Sequence, residues 1–357
     1  MLRFAKISLL TVVCLLVVWI LPWLYDLATS KRMNSPFVMY SAVAGDFLLT
    51  DNSVKPSVTT DLQGRVYDGR ERDSLCPMFF YRQLLAQERL PDTLFGQPVT
   101  PRLLQQTNFT FRISPAELNA THVALYPLLE SMPDRVDLAM PDDVFRITNR
   151  GLEFIDMETN RVNEEKSERF TDMLQRKDFC FPATQVVGNP TARKEYDEGY
   201  LLVDEAGHLF HLKQTCGRPY VRRIELPDSV KIDAMFLTEF PSHKTLAFFT
   251  DMRGDFYVLE AAEYQVHRVQ IPQYDAHSCP MMIIGNMFDW TIRIDERSCT
   301  RFYAVNASDY TCIKSLTIDD EVLPADRMGR WLLPLRLRLL SPTHPQVSPR
   351  LGLSFNE

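Results

Sequence analysis

One hairpin pattern recurs along this chain and constrains its fold more than any other feature. Two apolar runs, residues 200–203 and 209–212, flank the turn Asp204-Glu205-Ala206-Gly207. In such a turn the Asp side chain can accept hydrogen bonds from its own backbone, and Gly can adopt a positive φ. The pattern therefore predicts a β-hairpin, which a third apolar run at residues 220–226 extends to a meander.

Related turns follow one another at nearly constant intervals. They begin at Asp61, Asn149, Asp204, Asp251 and Asp295, with Gly64, Gly151, Gly207 and Gly254 completing the first four and Ser298 replacing Gly in the last. The last four are separated by 55, 47 and 44 residues, and a four-stranded propeller blade takes roughly 40 to 50. The spacing predicts a mainly β, propeller-like array of antiparallel meanders, with a β-sandwich or an irregular meander as alternatives. The first interval, 88 residues, has room for one more blade.

Helical patterns interrupt these meanders. Residues 76–90 place apolar side chains at helical spacing before Pro91, and Ser114-Pro115-Ala116-Glu117 is a capping-box arrangement that predicts a short helix. A second amphipathic helix, at residues 164–177, accounts for the 55-residue interval. We interpret residues 75–140 as a mixed helical insertion in a β-rich domain from 33 to 340. The tail, residues 341–357, contains three prolines that prevent helix and discourage strand.

The chain begins with a long apolar run. Residues 7–25 contain no charged side chain, and as a helix they would rise about 28 Å, close to the thickness of a hydrocarbon core. A signal peptide has a shorter apolar region and a small-residue cleavage site. Here Trp19, Trp23 and Tyr25 form an interfacial belt, and Pro22 lies in the last turn, where it is tolerated. We predict an uncleaved anchor over residues 7–27 whose partner is membrane lipid.

The charges that flank this run bear on its orientation. Arg3 and Lys6 precede it, whereas Lys31 and Arg32 follow it, so the cationic bias is nearly balanced. A short amino-terminal segment ahead of a signal anchor stays in the cytoplasm. We therefore expect residues 1–6 to be cytoplasmic and the body to lie in the periplasm, as in a single-pass protein of a bacterial inner membrane.

Charge and motif content exclude several function classes. The formal net charge of −7 argues against a nucleic-acid partner, because phosphate binding needs a cationic face. The sequence contains no nucleophile elbow, phosphate loop or dinucleotide fingerprint. His208 and His211, three residues apart on a strand, would point to opposite faces and would not form a zinc pair. The sequence therefore predicts no catalytic residue, cofactor or metal.

One enzymatic alternative stays open. Asp142, Asp143, Glu195 and Asp197 are acidic residues that could perform glycosidic acid–base chemistry if they met at the centre of a propeller. Each lies next to Pro, Gly or a strand end, where solvated loops are the expected setting. Their convergence within about 5 to 10 Å would indicate an anchored glycan hydrolase.

Six cysteines lie outside the apolar run. An even number permits up to three disulfides in fifteen connectivities, and no Cys-x-x-Cys is present. The six are Cys76, Cys180, Cys216, Cys279, Cys299 and Cys312. Cys299 and Cys312 flank a hairpin turn at residues 306–309, but counting outward from that turn places Cys312 opposite about Tyr303. We expect no bridge between these two.

Seven segments carry motifs that point to one bacterial family. They are residues 19–25, 79–84, 124–131, 140–147, 156–160, 193–200 and 283–290, which include Trp-Ile-Leu-Pro-Trp-Leu-Tyr at 19–25 and Ile-Ile-Gly-Asn-Met-Phe-Asp-Trp at 283–290. In these motifs the chain resembles a membrane-anchored family of Bacteroides-type bacteria that is defined by a domain of unknown function. The resemblance implies genes beside ABC transporter components and further hydrophobic segments after the body. This chain departs from that pattern, because a Pro-rich tail follows Leu339 and Leu340.

These observations lead to one functional expectation. We expect a membrane-anchored extracytoplasmic binding or scaffolding protein, an accessory of an ABC-type transporter or of another envelope assembly. The anchored glycan hydrolase is the alternative.

Overall fold

The computed structural model describes residues 2–29, 35–134 and 137–354. Lys31 and Arg32, the expected start of the body at residue 33, and the end of the tail at residues 355–357 lie outside the described residues.

The described residues form seven helices. They are α1 (Leu2–Thr29), α2 (Gly69–Leu75), α3 (Tyr81–Ala86), α4 (Pro101–Thr107), α5 (Pro115–Leu118), α6 (Glu164–Gln175) and α7 (Pro324–Leu332). In α6, Asn163 caps the first turn through its side chain, and Phe170 and Leu174 face the core, as the helical spacing predicts.

Strands make up most of the remaining structure. In chain order they are β1 (Phe37–Ser41), β2 (Asp46–Asp51), β3 (Val58–Thr60), β4 (Val66–Tyr67), β5 (Thr93–Leu94), β6 (Gln97–Pro98), β7 (Phe109–Ile113), β8 (Asp143–Ile147), β9 (Leu152–Asp156), β10 (Ala183–Gly188), β11 (Tyr200–Asp204), β12 (Leu209–Thr215), β13 (Arg218–Ile224), β14 (Ile232–Leu237), β15 (Thr245–Asp251), β16 (Phe256–Glu260), β17 (Val266–Arg268), β18 (Met281–Gly285), β19 (Asp289–Asp295), β20 (Cys299–Asn306), β21 (Cys312–Asp319), β22 (Leu335–Arg338) and β23 (Arg350–Leu353).

Four antiparallel meanders dominate the body. Strands β1 to β4, β10 to β13 and β14 to β17 each form a four-stranded sheet in chain order, and β18 to β21 form the fourth. The fourth sheet gains β7 as a fifth strand, which pairs antiparallel with β18 from Phe109 opposite Gly285 to Ile113 opposite Met281. The hairpin β8–β9 is a separate two-stranded sheet. The prediction of a mainly β chain of antiparallel meanders is confirmed.

Neighbouring sheets pack face to face through alternate side chains. On β11, Leu201 and Val203 join the cluster shared with β14 to β16, whereas Tyr200 and Leu202 join the cluster shared with β8, β9 and α6. This two-residue alternation explains why every residue of β11 is buried. Further clusters join β14–β17 to β18–β21 and β18–β21 to β1–β4.

The stacked sheets do not close a propeller in the part of the chain that the structure describes. The long first interval does not hold the further blade for which it has room. It contains α2 to α5, the short hairpin β5–β6 and β7, which adds to a distant sheet instead. Turn spacing measures chain length between hairpins, and it carries no information on whether that length folds as a sheet.

Two local predictions are wrong in detail. The helix expected over residues 76–90 is shorter, since within that range only α3 (Tyr81–Ala86) is helical. The preceding helix α2 ends at Leu75, and Cys76, directly before Pro77, is its C-cap. A residue before proline is pushed away from helical backbone angles. Helix α5 starts after Ser114, but the Ser114 side chain makes no capping hydrogen bond, so the expected capping box is absent.

The residue opposite Cys312 and the tail also differ from expectation. All seven cysteines are free, and Cys312 lies opposite Val305 because a register shift follows Ala304. In the tail, β23 pairs with β22 from Leu335 opposite Leu353 to Arg338 opposite Arg350. The three prolines lie before β23, so they do not interrupt the ladder.

Candidate functional site

Three of the four turn glycines lie in turns of one design. In each, the Gly amide donates to the carbonyl of an Asp three residues earlier, and φ is +81° at Gly64, +85° at Gly207 and +84° at Gly254. The Asp carboxylate accepts from backbone amides across the turn, for example from Arg253 and Asp255 to Asp251 Oδ1 at 3.0 and 2.9 Å. These turns have a structural role, because one oxygen of each Asp carboxylate is held by amides of its own turn and the other by a neighbouring side chain.

Gly151 belongs to a different turn, which corrects the assumption that all four copies share one layout. Here the Thr148 hydroxyl accepts hydrogen bonds from the turn amides, and Gly151 does not have a positive φ. A Cβ at Gly151 would lie 2.6 Å from the Thr171 side chain on α6. Glycine is needed at this position because the helix packs against the backbone.

The acidic residues of the hydrolase alternative have separate partners. Asp143 accepts from Lys166 Nζ at 2.7 Å on α6, whereas Asp197 pairs with Lys194 Nζ at 2.7 Å. Glu195 is exposed. The described contacts join none of these carboxylates to another, and the hydrolase stays an untested prediction.

The histidine pair is likewise split. His211 is buried, its Nδ1 lies 2.9 Å from the Tyr264 hydroxyl, and burial lowers its pKa to about 4. His208 lies before β12, beside Asp204 at 3.2 Å. Among the described residues, no group of three His, Cys, Asp or Glu side chains is arranged to hold a metal ion.

The aromatic belt lies in the carboxyl-terminal part of α1. Trp19 and Trp23 are exposed, Pro22 is buried, and the Tyr25 hydroxyl donates to the carbonyl of Ala325 at 2.8 Å. The helix Arg3–Thr29, whose most apolar 18-residue stretch has a mean hydropathy of 2.6, is long and apolar enough to cross a membrane. A signal sequence passes the same test.

A cleft of about 490 Å³ lies where the helical insertion meets two sheets. One wall is the end of β1 with Tyr40 and Ser41, the second is the α2–α3 connection around Cys76, and the floor is the β18–β19 hairpin with Asp289. Hydrogen bonds join the walls and the floor. The Ser41 hydroxyl donates to the Leu75 carbonyl at 2.6 Å, and the Tyr40 amide donates to the Thr291 hydroxyl at 3.0 Å.

Local sequence fixes the position of Asp289. Asn286 Oδ1 accepts from the amides of Phe288 and Asp289 at 2.8 and 3.1 Å, so this hairpin turn is organised by an Asn side chain. Asp289 is the first residue of β19 and is 4% exposed. Its carboxylate accepts one long hydrogen bond, from Asn286 Nδ2 at 3.3 Å. A Cβ at Gly285 would collide with the Phe109 ring, so glycine lets β7 and the turn approach each other.

Burial gives the cleft unusual electrostatics. It raises the pKa of Asp289 to about 7, because a carboxylate removed from water loses hydration that one weak hydrogen bond does not replace. Burial also raises the pKa of the Cys76 thiol to about 12, and the negative charge of Asp289 adds to that shift. Cys76 therefore stays protonated near neutral pH and is not an activated nucleophile.

Asn108, which also lines the cleft, carries a second acceptor. Asn108 Nδ2 donates to the Met78 carbonyl at 2.6 Å, while its Oδ1 is buried and has no hydrogen-bond partner among the described residues. Leaving such an atom unpaired costs roughly 1–3 kcal/mol. The side chains of Phe79, Tyr81 and Phe288 contribute aromatic surface. The cleft thus combines aromatic and apolar side chains with polar ones, among them two acceptor groups that have few hydrogen-bond partners among the described residues.

Sequence reasoning did not single out Asp289 or Asn108. The available signal was the Asn-Met-Phe-Asp turn inside an apolar run, which places a carboxyl group where a strand enters the core. The burial of this carboxyl group in a cleft that Asn108 also lines cannot be deduced from that run, because the insertion that carries Asn108 is distant in sequence.

Comparisons with solved structures return β-propeller domains. The Myceliophteria thermophila Cps50 (Swd1) propeller is 12% identical over 62% of this chain and 61% of its own length, with a TM-score of 0.28. The Dos1 propeller is 9% identical over 50% and 45%, with a TM-score of 0.28. The WD40 domain of fission yeast SCAP is 8% identical over 90% and 87%, with a TM-score of 0.32. TM-scores this low do not establish a shared fold, and the chain spans less than two thirds of the first two propellers.

Comparisons by sequence are more decisive. A search of curated proteins found no match. The family model described as "Domain of unknown function (DUF4857)" matches residues 37–305, from β1 to β20, which includes the cleft. Because this match covers about three quarters of the chain, the protein belongs to the DUF4857 family.

Proposed function

We propose that this protein is a membrane-anchored binding protein that holds a small ligand in the cleft above Asp289. The observation that carries the proposal is that one cleft of about 490 Å³ with aromatic side chains in its walls is lined by buried Asp289 and by Asn108, whose Oδ1 has no hydrogen-bond partner among the described residues. Binding pockets typically combine mostly apolar walls with a few polar groups that orient the ligand.

The chemistry of the cleft selects the ligand class. A carboxylate and an amide oxygen are acceptors, so the complementary ligand carries hydrogen-bond donors. A primary ammonium group supplies up to three donors and a positive charge, and aromatic walls favour cations and apolar carbon. We therefore propose an organic ammonium compound with a short apolar body.

A matched pair of small probes tests this site. Titration calorimetry of the full-length protein in detergent would compare n-butylamine with n-butanol, which has the same carbon chain without the charge. The amine is expected to bind, and Asp289→Asn is expected to weaken it by about 10- to 100-fold, the loss of one charge-assisted bond. Asp295→Asn, at the other end of β19, is the control and should leave affinity unchanged. Equal binding of both probes, or an unaffected Asp289→Asn variant, would refute the assignment.

The affinity of the site should depend on pH in one direction. The ammonium pairs with the ionised form of Asp289, whose pKa is about 7 in the free protein. Raising the pH from 6 to 8 increases the ionised fraction roughly tenfold, so the amine should bind about tenfold more tightly at pH 8. A flat profile over this range would contradict the role of Asp289.

The remaining parts of the proposal concern the setting of the site. We infer that α1 is a retained anchor, that the stacked sheets are a propeller-like array, and that the body faces the periplasm of a Bacteroides-type bacterium from its inner membrane. The length and apolar character of α1 support the anchor. Extraction of membranes with alkaline carbonate tests it, since an anchored chain stays in the pellet and a cleaved one is released.

We further propose that the protein is an accessory of an ABC-type transporter, to which the cleft would present its ligand. The test is purification of the tagged full-length protein from gently solubilised membranes, followed by mass spectrometry. Near-stoichiometric transporter subunits would support this role, and recovery of the protein alone would refute it.

A further inference from the structure

The C-terminal segment packs against the apolar helix. We define the clasp as residues 324–354, which contain α7, β22 and β23. Tyr25 donates to the Ala325 carbonyl at 2.8 Å, and Arg336 Nη1 donates to Asp26 Oδ2 at 2.8 Å. A Cβ at Gly329 would collide with the Tyr25 ring, so α7 and α1 are in direct contact.

The clasp also reaches along α1 toward its more apolar part. A cleft of about 730 Å³ is lined on one side by Trp19, Pro22 and Trp23 and on the other by Leu337, Leu339, Leu340 and Val347. From Asp26 to Trp19 the helix axis covers about 10 Å at 1.5 Å per residue. The clasp therefore lies beside the two turns of α1 between Trp19 and Asp26, at the level of its aromatic belt.

Large apolar side chains of the clasp are exposed. Trp331 is 71% exposed, Leu340 72% and Val347 69%, and the set also includes Met328, Leu332, Leu335, Leu351 and Leu353. So many exposed large apolar residues in 31 residues indicate an interaction surface. Because the surface is continuous with α1, an anchored α1 would bring it to the membrane.

The charge of the clasp fits the same environment. It contains five arginines and one acidic residue, Asp326, giving a formal charge of +4 in a chain whose total is −7. Arg327 on α7 and Arg350 on β23 are exposed. Arg336 is neutralised by Asp26, which lowers the cost of bringing that pair close to hydrocarbon. Apolar residues mixed with arginine are typical of segments that lie in the interface of an anionic membrane.

We propose that the clasp is an interfacial lipid-binding element. Its apolar side chains contact acyl chains beside α1, and Arg327 and Arg350 face anionic headgroups. The clasp is also bound to the body, since Asn119 Nδ2 donates to the Thr343 carbonyl at 2.8 Å. It would therefore fix how the body sits on the membrane. This inference rests on the proposed anchoring of α1.

Quenching by brominated lipid tests the inference. Full-length protein would be reconstituted into vesicles of phosphatidylcholine and phosphatidylglycerol with brominated acyl chains. Trp19→Phe with Trp23→Phe leaves buried Trp290 and exposed Trp331. About half or more of the Trp331 emission should be quenched, as expected for an indole within reach of the acyl boundary. Adding Trp331→Phe should remove the quenchable component.

A control indole on the body completes the comparison. Met252 lies in the β15–β16 turn and is 69% exposed, so Met252→Trp in the triple Trp→Phe background reports exposure without membrane contact. Trp331 emission that is quenched no more than this control overturns the clasp assignment. Replacing phosphatidylglycerol with phosphatidylcholine, or making Arg327→Gln with Arg350→Gln, should reduce Trp331 quenching. An unchanged signal in both overturns the headgroup assignment.

Comparison of the wild-type protein with the Trp19→Phe, Trp23→Phe variant separates the two proposals. Trp19 and Trp23 report on α1, so quenching of these indoles without quenching of Trp331 refutes the clasp and leaves the anchor standing. Absence of quenching at all three refutes the anchor as well.

Discussion

Replacing Asp289 with Asn should stabilise the protein increasingly as the pH rises. The pKa of this carboxyl group is raised from an ordinary value of 3.8 to about 7 because the group is buried with one weak hydrogen bond. Between these two values the folded state holds a proton that the unfolded state has released. The free energy of unfolding therefore falls as the pH rises through this window, and it levels off above pH 7.

The size of the effect follows from the two pKa values. A shift of about three pKa units corresponds to roughly 4 kcal/mol in total, and about 2.5 kcal/mol of this is lost between pH 5 and pH 8. Asn has nearly the same shape and no charge, so the variant should not lose this free energy of unfolding as the pH rises. The stability of Asp289→Asn relative to wild type should therefore grow by about 2.5 kcal/mol over this range.

Urea unfolding of the full-length protein in detergent, followed by the fluorescence of buried Trp290, measures this difference. Subtracting the free energy of unfolding of the wild type from that of the variant at each pH cancels the contributions of other titrating groups. Asp309→Asn is the control, because hydrogen bonds from Thr311 lower the pKa of this exposed carboxyl group. The difference in free energy of unfolding between Asp309→Asn and wild type should not change from pH 5 to pH 8. If the Asp289→Asn difference is also flat, the carboxyl group is hydrated, and the reasoning about the cleft is wrong.

Three further predictions follow from other parts of the structure. Gly254→Ala should lower the free energy of unfolding in urea by about 1–3 kcal/mol more than Gly207→Ala does. A Cβ at Gly254 would lie 2.9 Å from a backbone oxygen, whereas one at Gly207 would face open space. Equal losses of stability in the two variants would contradict this. Lys194→Met should lower the free energy of unfolding by about 3–5 kcal/mol, since it leaves two buried carboxylates unpaired, and a loss below about 1 kcal/mol would show that water reaches them. Iodoacetamide at pH 8 should modify exposed Cys180 and spare buried Cys76, whose pKa is raised to about 12. Peptide mass spectrometry would show which thiol is modified, and rapid modification of Cys76 in the folded protein would contradict its burial.

Local chemistry explains what could be predicted. The turns at Gly64, Gly207 and Gly254 follow from Asp and Gly at fixed offsets, since a turn is decided within five residues. Helix α6 and the apolar α1 follow from periodicity and length. Gly151 shows the limit of this reasoning, because its environment is set by Thr171 on a packed helix rather than by its own turn.

The sequence by itself determined the antiparallel meanders and the apolar helix, because both depend on residues that are close along the chain. Only the tertiary structure decided that β7 joins β18, that the insertion covers Asp289 and that the clasp returns to α1. The physical reason is that burial, pKa and surface continuity depend on which distant segments pack together. Turn residues and hydrophobic periodicity do not indicate which distant segments will pack together.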